Sequence, residues 1–204
     1  MRIALFGGTR GVGRQVLVQA LEKDWGIKLL ARHPDAVPPA PGLEVVGGDA
    51  LDPGKVILTI TGCDAVVSCL GPTKGSAPDV CSRWTDIILP AMQKFSLSRL
   101  VVISALGVGD SAGQIPLWMQ PFFKTILKRS MQDKDRQEQL IRASGTDWTI
   151  IRPGGLTDRQ TNGTAVVGTD VKQKAGMVGR AAVASLVINE LETGRYRGRT
   201  AYIT

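Results

Sequence analysis

Arg2-Ile3-Ala4-Leu5-Phe6-Gly7-Gly8-Thr9-Arg10-Gly11-Val12-Gly13-Arg14 is the stretch whose reading decides the fold. A short, mostly apolar run meets spaced glycines, and Val12, Val16, Leu17, Ala20 and Leu21 then recur at helical intervals. The pattern is strand, tight turn, helix. A glycine at 7 lets the strand turn sharply, and one at 11 lets the backbone approach a pyrophosphate. One at 13 lets the helix pack close to the strand, with its amides and dipole aimed at the phosphates. The spacing is G-x-x-x-G-x-G, not G-x-G-x-x-G. A glycine loop alone is weak evidence of a dinucleotide site; between a buried strand and a helix it is good evidence.

Working outward, 204 residues fit a single domain with a substantial core. Hydrophobic residues at 43% and charged residues at 21% are ordinary for a globular protein. No apolar run reaches membrane-spanning length, and residues 2–6 are too short for a signal-peptide core, so no membrane partner is expected. Cys63, Cys69 and Cys81 are odd in number and form no C-x-x-C pair. Reduced thiols in a cytoplasm-like compartment follow, and a cytoplasmic protein is the expectation. The net charge of +7 suits either a solvated basic surface or attraction to an anionic, phosphate-rich cofactor. Nucleic acid is not expected, because the basic residues are scattered and no recognition motif accompanies them. With His33 as the sole histidine, neither a multi-histidine metal site nor a Ser-His-Asp triad is expected.

Residues 27–31 read as a second buried strand, ending at Arg32-His33-Pro34-Asp35. The tip of that strand meets the adenine ribose in dinucleotide folds, where a carboxylate suits a 2′-hydroxyl and an arginine a 2′-phosphate. Arg32 holds the position, with Arg10 nearby in the glycine loop, whereas Pro34 places Asp35 beyond the strand. NADP is therefore favoured over NAD. Residues 43–47 form a third strand, followed by Asp49, which either meets the adenine amino group or serves as a turn aspartate. Asp52 caps a helix with Pro53 at its first position.

A fourth strand over 64–68 ends at Cys69-Leu70-Gly71-Pro72. Val80, Trp84, Ile87, Ile88, Ala91, Met92 and Phe95 then make one apolar helical stripe. A fifth strand over 99–103 places Ser104 at its carboxyl end, where ligands of open α/β sheets gather. Residues 105–121 are a long connection that either caps a flat hydrophobic substrate or buries itself against the core or a partner subunit. A helix from about 122 to 143 puts Leu127, Met131, Lys134, Glu138 and Ile141 on one face. A lysine and a glutamate there are either paired in the core or facing a site. Residues 148–152 are a sixth strand. A final helix over 177–192 and an edge strand around Tyr202 and Ile203 complete a doubly wound parallel α/β sheet flanked by helices, one domain over 1–204. Its substrate region is expected in 105–121 and 153–170.

Several segments together resemble the short-chain dehydrogenase/reductase superfamily. They are Phe6 to Gly13, Ala31-Arg32, Gly48-Asp49, Ser68-Cys69-Leu70-Gly71, Val102-Ile103-Ser104, and Ser144-Gly145-Thr146-Asp147-Trp148-Thr149-Ile150-Ile151-Arg152-Pro153-Gly154-Gly155-Leu156-Thr157. More closely, the chain is similar to the atypical branch of NmrA-like proteins, NAD(P)H-flavin reductases and biliverdin-IXβ reductase. The resemblance implies a Rossmann domain with NADP(H) across the strand ends. Gly7, Thr9, Arg10, Gly11, Val12 and Gly13 would cradle the pyrophosphate, and Arg10 and Arg32 the 2′-phosphate. Asp49 and Ala50 would meet adenine; Cys69, Leu70 and Gly71 would lie beside the ribose, and Pro153 and Gly154 would hold the nicotinamide. Ser104 matches the strand-end serine of the superfamily and Lys134 its site lysine.

Two departures carry weight. The superfamily's Tyr-x-x-x-Lys is absent, because Ser130 stands four residues before Lys134. The loop also reads Arg10-Gly11 where relatives more often place glycine first. The expected function is NADPH-dependent hydride transfer to a conjugated acceptor, namely a flavin, a quinone or a biliverdin-like pigment. In that reading Ser104 and Lys134 position acceptor and cofactor. The alternative is a regulator or assembly factor that binds NADP(H) without turnover; a ketoreductase or epimerase is disfavoured by the missing tyrosine.

Overall fold

A computed structural model describes residues 1–73, 76–114, 127–159, 165–169 and 176–204. β1 (Arg2–Phe6) pairs in parallel with β2 (Gly26–Ala31) on one side and β4 (Ala65–Ser68) on the other. β3 (Leu43–Gly47) flanks β2, and β5 (Arg99–Ile103), β6 (Asp147–Pro153) and β10 (Arg199–Ile203) extend the sheet beyond β4. The two-residue β8 (Val167–Gly168) closes that edge antiparallel to β10. The order is β3-β2-β1-β4-β5-β6-β10-β8. The chain reverses its direction of winding between β1 and β4, and ligands of such sheets bind at the carboxyl ends of the strands beside that point.

Burial follows the period of two in β1. Ile3 and Leu5 enter one core cluster, Ala4 and Phe6 the other, and all four are fully buried. Such a strand needs cover on both faces. α1 (Gly11–Leu21) and α5 (Arg180–Thr193) supply Val16, Leu17, Val183 and Val187 to the first core. α2 (Pro53–Ile60) and α3 (Val80–Lys94) supply Val56, Ile60, Trp84, Ile88 and Met92 to the second, joined by Ile141 of α4 (Lys128–Arg142). Asp52 caps α2 as its sequence predicts, its carboxylate accepting from Gly54 N at 2.8 Å and Lys55 N at 3.2 Å.

Three expectations need correction. Phe95 lies past the end of α3 and is 41% exposed, so the apolar stripe stops at Met92. Residues 177–179 are not helix but β9 (Met177–Gly179), which pairs in parallel with β7 (Gly155–Thr157). Their backbone is claimed by that partner, and Val178 is buried in the core. β10 is not an edge strand, since β8 covers it. Helix α4 is described from Lys128 onward; residues 122–126 lie outside the described residues, as do 115–121, 160–164 and 170 of the expected substrate region.

Candidate functional site

A cleft of about 1030 Å³ opens along the carboxyl ends of β1 to β5. It is walled by Gly7, Thr9, Arg10, Gly11 and Val12 of the loop, Arg32 and His33 after β2, and Asp49 and Ala50 after β3. Cys69, Leu70 and Gly71 after β4, with Ser104 and Lys134, complete the side near β5. The topology thus brings together most of the residues singled out in the sequence.

The glycine loop has the geometry a diphosphate needs. Gly13 is packed so tightly that a Cβ on it would lie 2.2 Å from the Gly7 carbonyl oxygen, which fixes the helix start against the strand end. Gly11, at φ +58°, faces open space, where an added Cβ would meet nothing nearer than Arg180 Nε at 3.8 Å. The first turn of α1 carries no acidic side chain and no side-chain cap. Gly11 and Val12, its first two residues, line the cleft, so its amide donors and positive dipole end face it. Arg10, Arg14, Arg32, Lys134 and Arg180 line the same cleft, against Asp49 and Asp158. This donor set fits a dinucleotide phosphate group.

Arg32 donates to Thr73 Oγ1 at 3.1 Å, which holds its guanidinium toward the β4 side of the cleft. Asp49 accepts from Leu51 N at 2.8 Å, so it is a turn aspartate that also lines the wall. Pro153 and Gly154 do not line the cleft. The Pro153 carbonyl accepts from Leu106 N at 2.9 Å and Gly154 N donates to Ile203 O at 2.9 Å, so sheet and loop pairing takes both. Leu156 and Asp158, just beyond, reach the wall instead.

Around Ser104 the structure resolves what the helix pattern left open. Lys134 faces the site, with its ammonium donating to Ile103 O at 2.8 Å and Leu70 O at 3.4 Å, so it ties the ends of β4 and β5 together. Glu138 is paired in the core. Arg152 grips it through Nε at 2.9 Å and Nη2 at 2.6 Å, and Arg142 Nη2 reaches it at 3.0 Å. Ser104 Oγ lies 2.5 Å from Glu138 Oε1, and a carboxylate accepts only, so the serine donates. The sequence offers Ser104 as a group that positions the acceptor; in the structure its proton is engaged by Glu138, and the hydroxyl presents lone pairs to the cleft.

Arg152 continues the network through Nη1 to Tyr202 OH at 2.8 Å and to Asp110. Burial pushes its guanidinium pKa down, but the hydrogen bond and charge of Glu138 and the hydrogen bond to Asp110 outweigh that and raise it. On the same buried stripe of α4, Asp133 accepts from Cys81 N and Ser82 N, both at 2.9 Å, and so caps α3 from outside that helix. The sequence reading missed Asp133, Gln137, Arg152 and Arg180 as buried or site-lining groups. The signal for the first two was present, because 133 and 137 share a helical face. Burial raises the pKa of the Cys69 thiol to about 12, with the Lys134 charge lowering it somewhat, so the neutral thiol is favoured.

The fold and this cleft define a Rossmann-type dinucleotide-binding domain. The chain belongs to the NAD(P)H-binding family, which matches residues 7–193. Among relatives, it is 24% identical over 216 residues to the uncharacterized sugar epimerase YhfK of Bacillus subtilis, covering 100% of this chain and 94% of that protein. It is 26% identical over 239 residues to the reductase pytE of Aspergillus terreus, covering 95% and 89%. Among solved structures, ChuY, an anaerobillin reductase from Escherichia coli O157:H7, superposes with a TM-score of 0.84 at 24% identity, covering 100% of this chain and 96% of that one. A short-chain dehydrogenase/reductase from Veillonella parvula in complex with NADP gives 0.82 at 17% identity, covering 99% and 93%. Among the described residues, no helix is long and apolar enough to cross a membrane.

Proposed function

We propose that this protein is an NADPH-dependent oxidoreductase that passes hydride to a flat conjugated acceptor: a flavin, a quinone or a biliverdin-like pigment. When bound, the nicotinamide supplies the hydride. The loop from Gly7 to Gly13 holds the diphosphate, Arg10 and Arg32 favour a 2′-phosphate, and Lys134 and Ser104 position the reacting end. The reduced cysteines and the cofactor fit a cytoplasmic setting. Reductases are named among the chain's relatives and fold neighbours, which agrees with this reading.

The observation that carries the acceptor class is the engaged proton of Ser104. Hydride addition to a simple ketone makes an alkoxide, which needs a proton donor placed in the transition state. Ser130 replaces the tyrosine that would supply it, and Ser104 already donates to Glu138. A flavin or quinone delocalises the charge over its ring, and solvent protonates it. The site then works by holding two flat rings face to face.

The test is kcat/KM for NADPH oxidation with flavin, quinone and simple ketones, in the wild type and in Ser104→Ala. Flavin or quinone reduction should fall about tenfold in the variant, short of the roughly 10²–10⁴-fold expected for a lost general acid. Efficient ketone reduction by the wild type, abolished in Ser104→Ala, overturns the reading. Tight cofactor binding with no turnover on the whole panel would assign the protein to the regulator class.

A further inference from the structure

The geometry points to Arg180 as a diphosphate-binding residue of this cleft, held in reserve by an ion pair with Asp158 that the cofactor displaces. The inference rests on the dinucleotide reading above. β7 and β9 pair in parallel with Thr157 opposite Gly179, so the residues that follow each strand, Asp158 and Arg180, emerge side by side. Both line the cleft. Arg180 opens α5, and its Nε and Cδ lie 3.8 and 4.0 Å from the point where a Cβ on Gly11 would stand. The guanidinium stem is thus directly over the glycine loop, at the N-terminus of α1.

That placement is set by packing, since Val16 and Leu17 of α1 share one core cluster with Val183 and Val187 of α5. α5 is tied along α1 by Gln19 Nε2 donating to Ala181 O at 3.0 Å, by Ser185 Oγ donating to Gln19 Oε1 at 3.0 Å, and by the Lys23–Glu192 pair at 2.7 Å. Arg180 therefore stays in register with the loop whatever its side chain does. Its partner is weakly held. Arg180 Nη1 meets Asp158 Oδ1 at 2.9 Å, but the Asp158 side chain is 88% exposed. An ion pair that open to water contributes little. The diphosphate, with one negative charge on each phosphate, offers the same guanidinium a bidentate partner beside the α1 dipole, and it exchanges for the carboxylate. Asp158, now near a like charge, is driven outward. The role differs from that of Arg32, which belongs to the ribose end of the cleft.

The test measures Kd by isothermal titration calorimetry for NADP⁺, NAD⁺ and 2′-AMP, which has no diphosphate. Arg180→Ala should weaken NADP⁺ and NAD⁺ alike, by roughly tenfold to a hundredfold, and leave 2′-AMP unchanged. Arg32→Ala should instead weaken NADP⁺ and 2′-AMP and spare NAD⁺. Asp158→Asn, at an exposed position where folding is not at stake, should tighten both dinucleotides by about two- to fivefold. A loss confined to NADP⁺ in Arg180→Ala would reassign the residue to the 2′-phosphate and overturn the inference. So would unchanged affinities in both Arg180→Ala and Asp158→Asn. If the wild type bound neither dinucleotide, the cofactor reading itself would fall, and this inference with it.

Discussion

Replacing Arg152 with Met tests whether the network beneath Ser104 holds the sheet to α4. The Arg152 and Glu138 side chains are 1% and 3% exposed, and they share two hydrogen bonds. Met keeps the length of the stem and removes the charge. Glu138 is then left in the core with Arg142, itself 41% exposed, and Ser104. Breaking a buried pair by removing one partner costs about 3–5 kcal/mol, since the other charge stays desolvated. For a chain of this size each kcal/mol lowers Tm by about 2–4 °C, so a drop on the order of 10 °C follows. In Arg152→Met/Glu138→Leu both charges are gone, and at least about 2 kcal/mol should return relative to the single variant. Urea denaturation followed by far-ultraviolet circular dichroism, without cofactor, gives all three free energies. The reasoning is falsified if Arg152→Met lies within about 1 kcal/mol of the wild type, or if the double variant is no more stable than the single one.

Two further outcomes follow from titrating groups. Burial pushes the Asp110 carboxyl up, but the hydrogen bond and charge of Arg152 outweigh that and hold it below its ordinary 3.8. A depressed carboxylate adds stability that is complete above its unfolded value and lost as pH falls through the folded one. Asp110→Asn should therefore be less stable than wild type at pH 6, with the gap closing below about pH 4 in acid titrations of Tm; a gap that persisted at pH 2 would exclude this linkage. The thiols of Cys63 and Cys81, like that of Cys69, are raised by burial, to about 11 each. Iodoacetamide at pH 7.5 should label the native protein slowly and the urea-unfolded chain fast, and Cys69→Ser should keep cofactor affinity. Rapid native labelling of Cys69 would show a thiolate that burial does not allow.

Local chemistry was legible in the chain alone. A run of apolar residues into spaced glycines, a helical repeat, and Asp52 before Pro53 each involve neighbours within a turn or two. The strand, loop, helix and cap therefore form where the letters place them. The wall of the cleft followed too, because a parallel sheet puts every strand's carboxyl end on one side, and so gathers Gly7, Arg32, Asp49, Cys69 and Ser104. What the sequence could not carry is which polar group meets which. Hydrophobic periodicity reports that a face is buried, not that Glu138 will accept from Ser104 and two arginines, or that Asp133 will cap a helix 51 residues away. Nor does it place Arg180 over Gly11, since that contact exists only because α5 packs along α1 and β9 pairs with β7. Tertiary structure decided these, because buried charges are tolerable only where strands and helices distant in sequence bring their partners within hydrogen-bond reach.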